Sequence, residues 1–115
     1  MELDIVSITV DDMDRALAFY SEVFREEPAR RDDRFSWFTL ENVRFGLYNP
    51  AANGEAVDFG ENCVAAFRTD DIEAEHERLR ELAPAVEEIQ ALDGYRLFHF
   101  RDTEGNLMEV YAGEK

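Results

Sequence analysis

From Leu3 to Val10 apolar and polar side chains alternate loosely and several are β-branched, a pattern that predicts a strand. At Asp11 the period changes. Met13, Ala16, Leu17, Tyr20, Val23 and Phe24 recur at spacings of three and four, which predicts a helix capped by Asp11 or Asp12 and ended by Pro28. Three short strands are expected next, around 29–32, 35–40 and 43–48, broken by Asp32-Asp33 and Glu41-Asn42. Residues 51–61 have no period and read as a linker rich in Gly, Asn and Ala.

Beyond the linker the pattern starts again. A strand is expected over 63–68, then a helix capped by Asp70 or Asp71 with Ile72, Leu79 and Leu82 inward, then strands over 86–91, 95–101 and 106–111. "TVDDMDRALAFY" and "RTDDIEAEHERL" share the double aspartate and the apolar residue behind it. The chain therefore reads as one domain built from two βαβββ modules, 1–50 and 62–115. The fold class is α+β: curved mixed sheets with helices on the convex face, leaving a concave cup. A length of 115 residues suits a single core.

Charge narrows the partners. Asp and Glu number 27 against 12 Lys and Arg, a net charge of −15, and the only lysine is Lys115. A phosphate backbone or an anionic membrane is repelled by such a surface, so nucleic acid and membrane are excluded as partners. The acidity fits a salt-adapted surface or the steering of cationic ligands. No apolar run reaches 18 residues, and "MELDIVSITV" lacks a basic segment before an apolar one, so a cytoplasmic location is expected. The lone Cys63 in "NCVAAF" reads as a small apolar filler.

One carboxylate stands out. Glu109 lies between Met108 and Val110 in a segment that otherwise reads as buried. A three-residue loop Thr103-Glu104-Gly105, with Gly105 left-handed, sets Asp102 opposite Asn106 and hence His99 opposite Glu109. In that register Tyr95, Leu97, His99 and Arg101 share a face with Leu107, Glu109 and Tyr111, while Phe98, Phe100, Met108 and Val110 share the other. A four-residue loop would send His99 and Glu109 to opposite faces. The apolar set belongs under the helices, so Glu109 is expected to point into the cup.

The paired modules, the opening "TVDDMDRALAFYSEVF" and the closing "FRDTEGNLMEVY" resemble the vicinal oxygen chelate superfamily, which includes glyoxalase I, extradiol dioxygenases and the fosfomycin and bleomycin resistance proteins. Thr103 stands where that family usually has proline, and Arg25 where it has glycine. The resemblance implies a divalent metal held by one ligand from each of four strands. Glu109 matches one ligand position, whereas the others fall on Ile5, on Val64, and on or beside Phe45. These three offer no lone pair, and no metal or other cofactor is expected.

Three functions remain, the third of them an interaction module whose cup is closed by aromatics. The first is a metal-free protein that binds a small cationic or aromatic molecule, in the manner the resemblance implies for bleomycin resistance proteins. The second is a lyase, isomerase or dioxygenase in which Glu109 and His99 act as an acid/base pair, with or without a metal. Arg44, Trp37, Tyr48, Tyr95, Leu97 and Tyr111 are expected to line the cup. His76 is expected at the half-exposed edge of its helix, and the resemblance implies a homodimer.

Overall fold

The computed structural model describes residues 2–56, 60, 64–92 and 94–113. Its elements follow the predicted order: β1 (Ile5–Thr9), α1 (Met13–Phe24), β2 (Phe35–Thr39), β3 (Arg44–Tyr48), a 3-10 turn over Pro50–Asn53, β4 (Ala65–Arg68), α2 (Ile72–Leu82), β5 (Ala85–Val86), β6 (Gln90–Leu92), β7 (Tyr95–Arg101) and β8 (Leu107–Ala112). In both modules the second aspartate is the cap. Asp12 accepts the Arg15 amide at 3.0 Å, and Asp71 accepts the Ala74 amide at 3.1 Å. Helix α1 stops before Pro28 is reached, because Arg25 turns left-handed (φ 55°) and its amide returns to the Ser21 carbonyl.

The first sheet runs β1-β3-β2, with β1 parallel and β2 antiparallel to β3. The second runs β4-β8-β7-β5, and β6 adds to β7 beside β5. Two expected strands are shorter than the pattern predicts. Residues 29–32 contribute only a bridge between Arg30 and Trp37, because the Asp32 carboxylate accepts the Arg34 amide at 2.8 Å and turns the chain away. The segment expected as 86–91 splits into β5 and β6, leaving 87–89 off the regular ladder. Cys63, and residues 57–59 and 61 of the expected linker, lie outside the described residues. No helix among the described residues is long and apolar enough to cross a membrane.

Both sheets turn one alternate set of side chains onto a shared core. Ile8, Phe38, Phe45 and Leu47 come from the first sheet, Phe98, Phe100, Met108 and Val110 from the second, and Ala16, Leu17, Phe19, Tyr20, Ile72 and Leu79 from the helices. Phe24 joins the modules: its ring centroid lies 5.2 Å from Phe38, 5.3 Å from Phe45 and 5.7 Å from Phe67. Arg78 of α2 adds a polar tie, donating to the Glu22 and Val23 carbonyls at the end of α1.

The tight loop after β7 forms the other junction. Gly105 is left-handed (φ 84°) and the Asp102 amide bonds the Asn106 carbonyl at 3.0 Å, as the three-residue loop requires. Asp102, Glu104 and Asn106 are all buried. Asp102 accepts the Tyr20 hydroxyl at 2.5 Å, and Asn106 donates to the Thr9 carbonyl at 2.8 Å. Glu104 accepts the amides of Asp11 and Asp12 at 2.9 and 2.8 Å and the Arg15 guanidinium at 2.8 Å, so a carboxylate closes the N-terminus of α1. Burial pushes the Glu104 carboxyl up. The bonds from Arg15, the Asp12 amide, the Thr103 hydroxyl and the Asp11 amide outweigh it and hold the group below the usual carboxylate range.

Two stability tests follow from these contacts. A carboxyl lowered by folding stabilises the fold above its unfolded pKa, near 4.5, and that contribution fades as pH falls through the lower folded value. Glu104→Gln should cost about 2 kcal/mol in urea unfolding at pH 7, and the difference from the parent should shrink in acid. Arg25→Gly should raise stability by about 1 kcal/mol, since glycine adopts the left-handed conformation without strain.

Candidate functional site

The β7–β8 register pairs Leu97 with Tyr111, His99 with Glu109 and Arg101 with Leu107, as Gly105 predicts. His99 Nε2 lies 3.0 Å from Glu109 Oε1. Each side chain keeps about a quarter of its surface exposed, 27% and 26%, so the pair sits in the open face rather than in the core. Tyr95 and Tyr111 meet edge to face beside it, with centroids 6.2 Å apart.

Glu87 completes this group. Its Oε2 lies 3.7 Å from His99 Nδ1, on the far side of the imidazole from Glu109, and its amide bonds the His99 carbonyl at 2.8 Å. Sequence reasoning missed it because the break between β5 and β6 sets where it stands. His76 is buried rather than half exposed. Its Nε2 donates to the Glu87 carbonyl at 2.9 Å and its ring meets Phe98 edge-on at 4.8 Å.

The first sheet gathers the rest. Trp37 lies directly opposite Gly46, which in turn faces Ser7; Phe35 lies opposite Tyr48, and Arg44 opposite Ile5. The guanidinium carbons of Arg30 and Arg44 stand 5.4 and 5.0 Å from the Trp37 ring centroid. The Phe35 ring is 5.7 Å from Trp37 and 6.4 Å from Tyr48, whose hydroxyl bonds Glu55. The expected cup residues thus form two groups: Arg44, Trp37 and Tyr48 on one sheet, and Tyr95, Leu97, His99, Glu109 and Tyr111 on the other. A cleft of about 620 Å³ reaches from Tyr111 and Arg68 along β4 to Leu40, Glu41 and Asn42.

The register also tests whether a metal fits. Ser7 pairs with Gly46 as Ala66 pairs with Glu109, so the first module's counterpart of Glu109 is Gly46. Phe45, beside it, turns into the core and is 2% exposed. A side chain on Gly46 would displace its neighbours. A Cβ there would stand 2.7 Å from Ser7 Oγ and 2.9 Å from the Phe35 ring. Ile5 and the exposed Val64 supply no donor either. Glu87, His99 and Glu109 cannot face one ion together, because the imidazole stands between the carboxylates. Among the described residues no three His, Cys, Asp or Glu side chains converge as a metal site. A divalent ion needs about three protein ligands, and these residues do not fit one.

Comparison with known proteins agrees with this fold. The family model of the Glyoxalase/Bleomycin resistance protein/Dioxygenase superfamily matches residues 2–110. The metallothiol transferase FosB of Shouchella clausii is 25% identical over 114 residues, covering 94% of this chain and 77% of that protein. A lactoylglutathione lyase from Agrobacterium tumefaciens superposes with a TM-score of 0.81 at 23% identity, over 97% of this chain and 93% of the other. TnmS3, an antibiotic binding protein from a Streptomyces species, does so with a TM-score of 0.79 at 21% identity, over 99% and 97%. With a match across nearly its whole length, the chain belongs to the Glyoxalase/Bleomycin resistance protein/Dioxygenase superfamily.

Proposed function

We infer that this chain is a small-molecule-binding member of its family that works without a divalent metal and takes an aromatic compound against its open sheet faces. One observation carries the reading: the position that mirrors Glu109 is a glycine with an aromatic ring packed over it. Chelation needs a set of donors around one point. Aromatic contact needs ring surface, which Phe35, Trp37 and Tyr48 supply on one sheet and Tyr95 and Tyr111 on the other, set tilted or edge to face. TnmS3, an antibiotic binding protein by its title, offers a precedent on the same fold. A homodimer is taken as the working form, as the resemblance implies.

A second reading, an acid/base enzyme of the lyase or isomerase type, draws on the 3.0 Å contact between His99 and Glu109 in a partly open face. Recovery of a bound compound distinguishes the two: a binder returns it unchanged, and an enzyme returns a product.

Elemental analysis of the purified protein should find well below one equivalent of manganese, iron, nickel or zinc per chain, and adding these ions should leave the melting temperature unmoved. One tightly held ion per chain would defeat the metal-free reading. Glu109→Gln should change stability by no more than about 1 kcal/mol, because the partly exposed carboxylate it removes has water as an alternative partner.

A further inference from the structure

We propose that the open face of the first sheet is a subsite for a planar aromatic acid, with Arg44 and Arg30 reading the acid group and Phe35 and Tyr48 bedding the ring. The proposal rests on the small-molecule reading above and gives it a ligand class. It also reverses the sign that the net charge of −15 favours at long range.

The geometry starts from Gly46. Its backbone does not require glycine, since it is not among the residues with positive φ. Packing favours it, because the Phe35 ring occupies the space a Cβ would take. This leaves an aromatic bed in mid-sheet, with Trp37 on the adjacent strand and Tyr48 two residues along β3, their rings inclined at 52° and 65° to that of Phe35. Both guanidiniums stand within cation–π range of the one indole. Stacking fixes the plane of an arginine while leaving its N–H edge to grip a carboxylate through two parallel bonds.

The present partners of those edges are weakly held. Arg44 pairs with Asp4 and Arg30 pairs with Asp32 at 3.3 Å, and the two aspartate side chains are 64% and 39% exposed. Ion pairs this open contribute little, so a ligand carboxylate that brings an aromatic ring with it can replace one of them. An organic cation would meet two guanidiniums instead. On the second sheet, by contrast, two carboxylates, Glu87 and Glu109, flank His99.

The test uses three probes of one shape: 2-naphthoate, 2-naphthalenemethanol and 2-naphthylmethylammonium. Each is titrated into the full-length protein while its amide and indole signals are followed by NMR. The chain has a single tryptophan, so its indole N–H reports on Trp37 alone. The expected result is saturable movement of that signal by 2-naphthoate, weaker binding of the alcohol and weaker still of the ammonium. Arg44→Gln should weaken 2-naphthoate about tenfold, the loss of one charge-assisted contact, and leave the alcohol unchanged. Arg30→Gln serves in its place if Arg44→Gln does not fold.

The ammonium binding as well as the acid, an unchanged affinity in the arginine variant, or shifts confined to the amides around His99 and Glu109 would each overturn the proposal. In all three cases the small-molecule reading stands. If none of the probes binds anywhere, that reading falls, and the subsite falls with it.

Discussion

Five residues, Asp102 to Asn106, constrain most of what lies around them. The loop needs a left-handed residue, and Gly105 supplies it at φ 84° with no neighbour within 4 Å of where a Cβ would stand, so the demand comes from the backbone and not from crowding. That geometry sets the register of β7 on β8. A slip of one residue would bring Glu109 to the layer of Phe98 and Phe100 and carry Met108 to the open face. Burying an unpaired carboxylate there costs far more than any register gains.

The same loop docks the second module on the first. Asp102 receives the amides of Glu104 and Asn106, the Tyr20 hydroxyl and the Asn106 side chain, so a buried acid has four donors. Glu104 replaces solvent at the start of α1 with a fixed negative charge. A buried polar group left half satisfied would cost more than an apolar replacement, whereas one fully satisfied specifies a single arrangement. The junction is therefore specific as well as tight, and Phe24 and Phe67 supply the apolar part that specificity alone does not.

Local signals made much of this readable in the sequence. Period and capping placed both helices, and one glycine placed Glu109 opposite His99. What stayed hidden depends on contacts between residues distant in sequence. Glu104 reads only as the middle of a three-residue loop, yet its distant partners are Asp11, Asp12 and Arg15, about 90 residues away. His76 reads as a helix edge because nothing local announces the Phe98 ring or the Glu87 carbonyl that cover it. Residues 29–32 show the converse failure: the strand pattern is present, but a side chain two residues before Arg34 takes the amide that a ladder would need. Phe45 is a matter of parity. A position known only as on or beside a residue is ambiguous by one step, and in a strand one step exchanges core for open face.

The two modules put different chemistry on the same frame. Trp37 faces Gly46 as His99 faces Glu109, and Tyr48 takes the place of Tyr111. One module thus carries an imidazole and a carboxylate where the other carries an indole and no side chain. Coordination fails once a donor is missing, because the remaining ligands cannot make up the charge and geometry an ion requires. Stacking behaves differently: each ring adds its own area, and a glycine beneath it improves the fit. Under the proposed reading, a large ring packed over the counterpart of Glu109 is therefore not a damaged metal site. On that reading the shared frame presents a surface instead of converging on a point, and the arginines beside it would select for shape and sign of charge together.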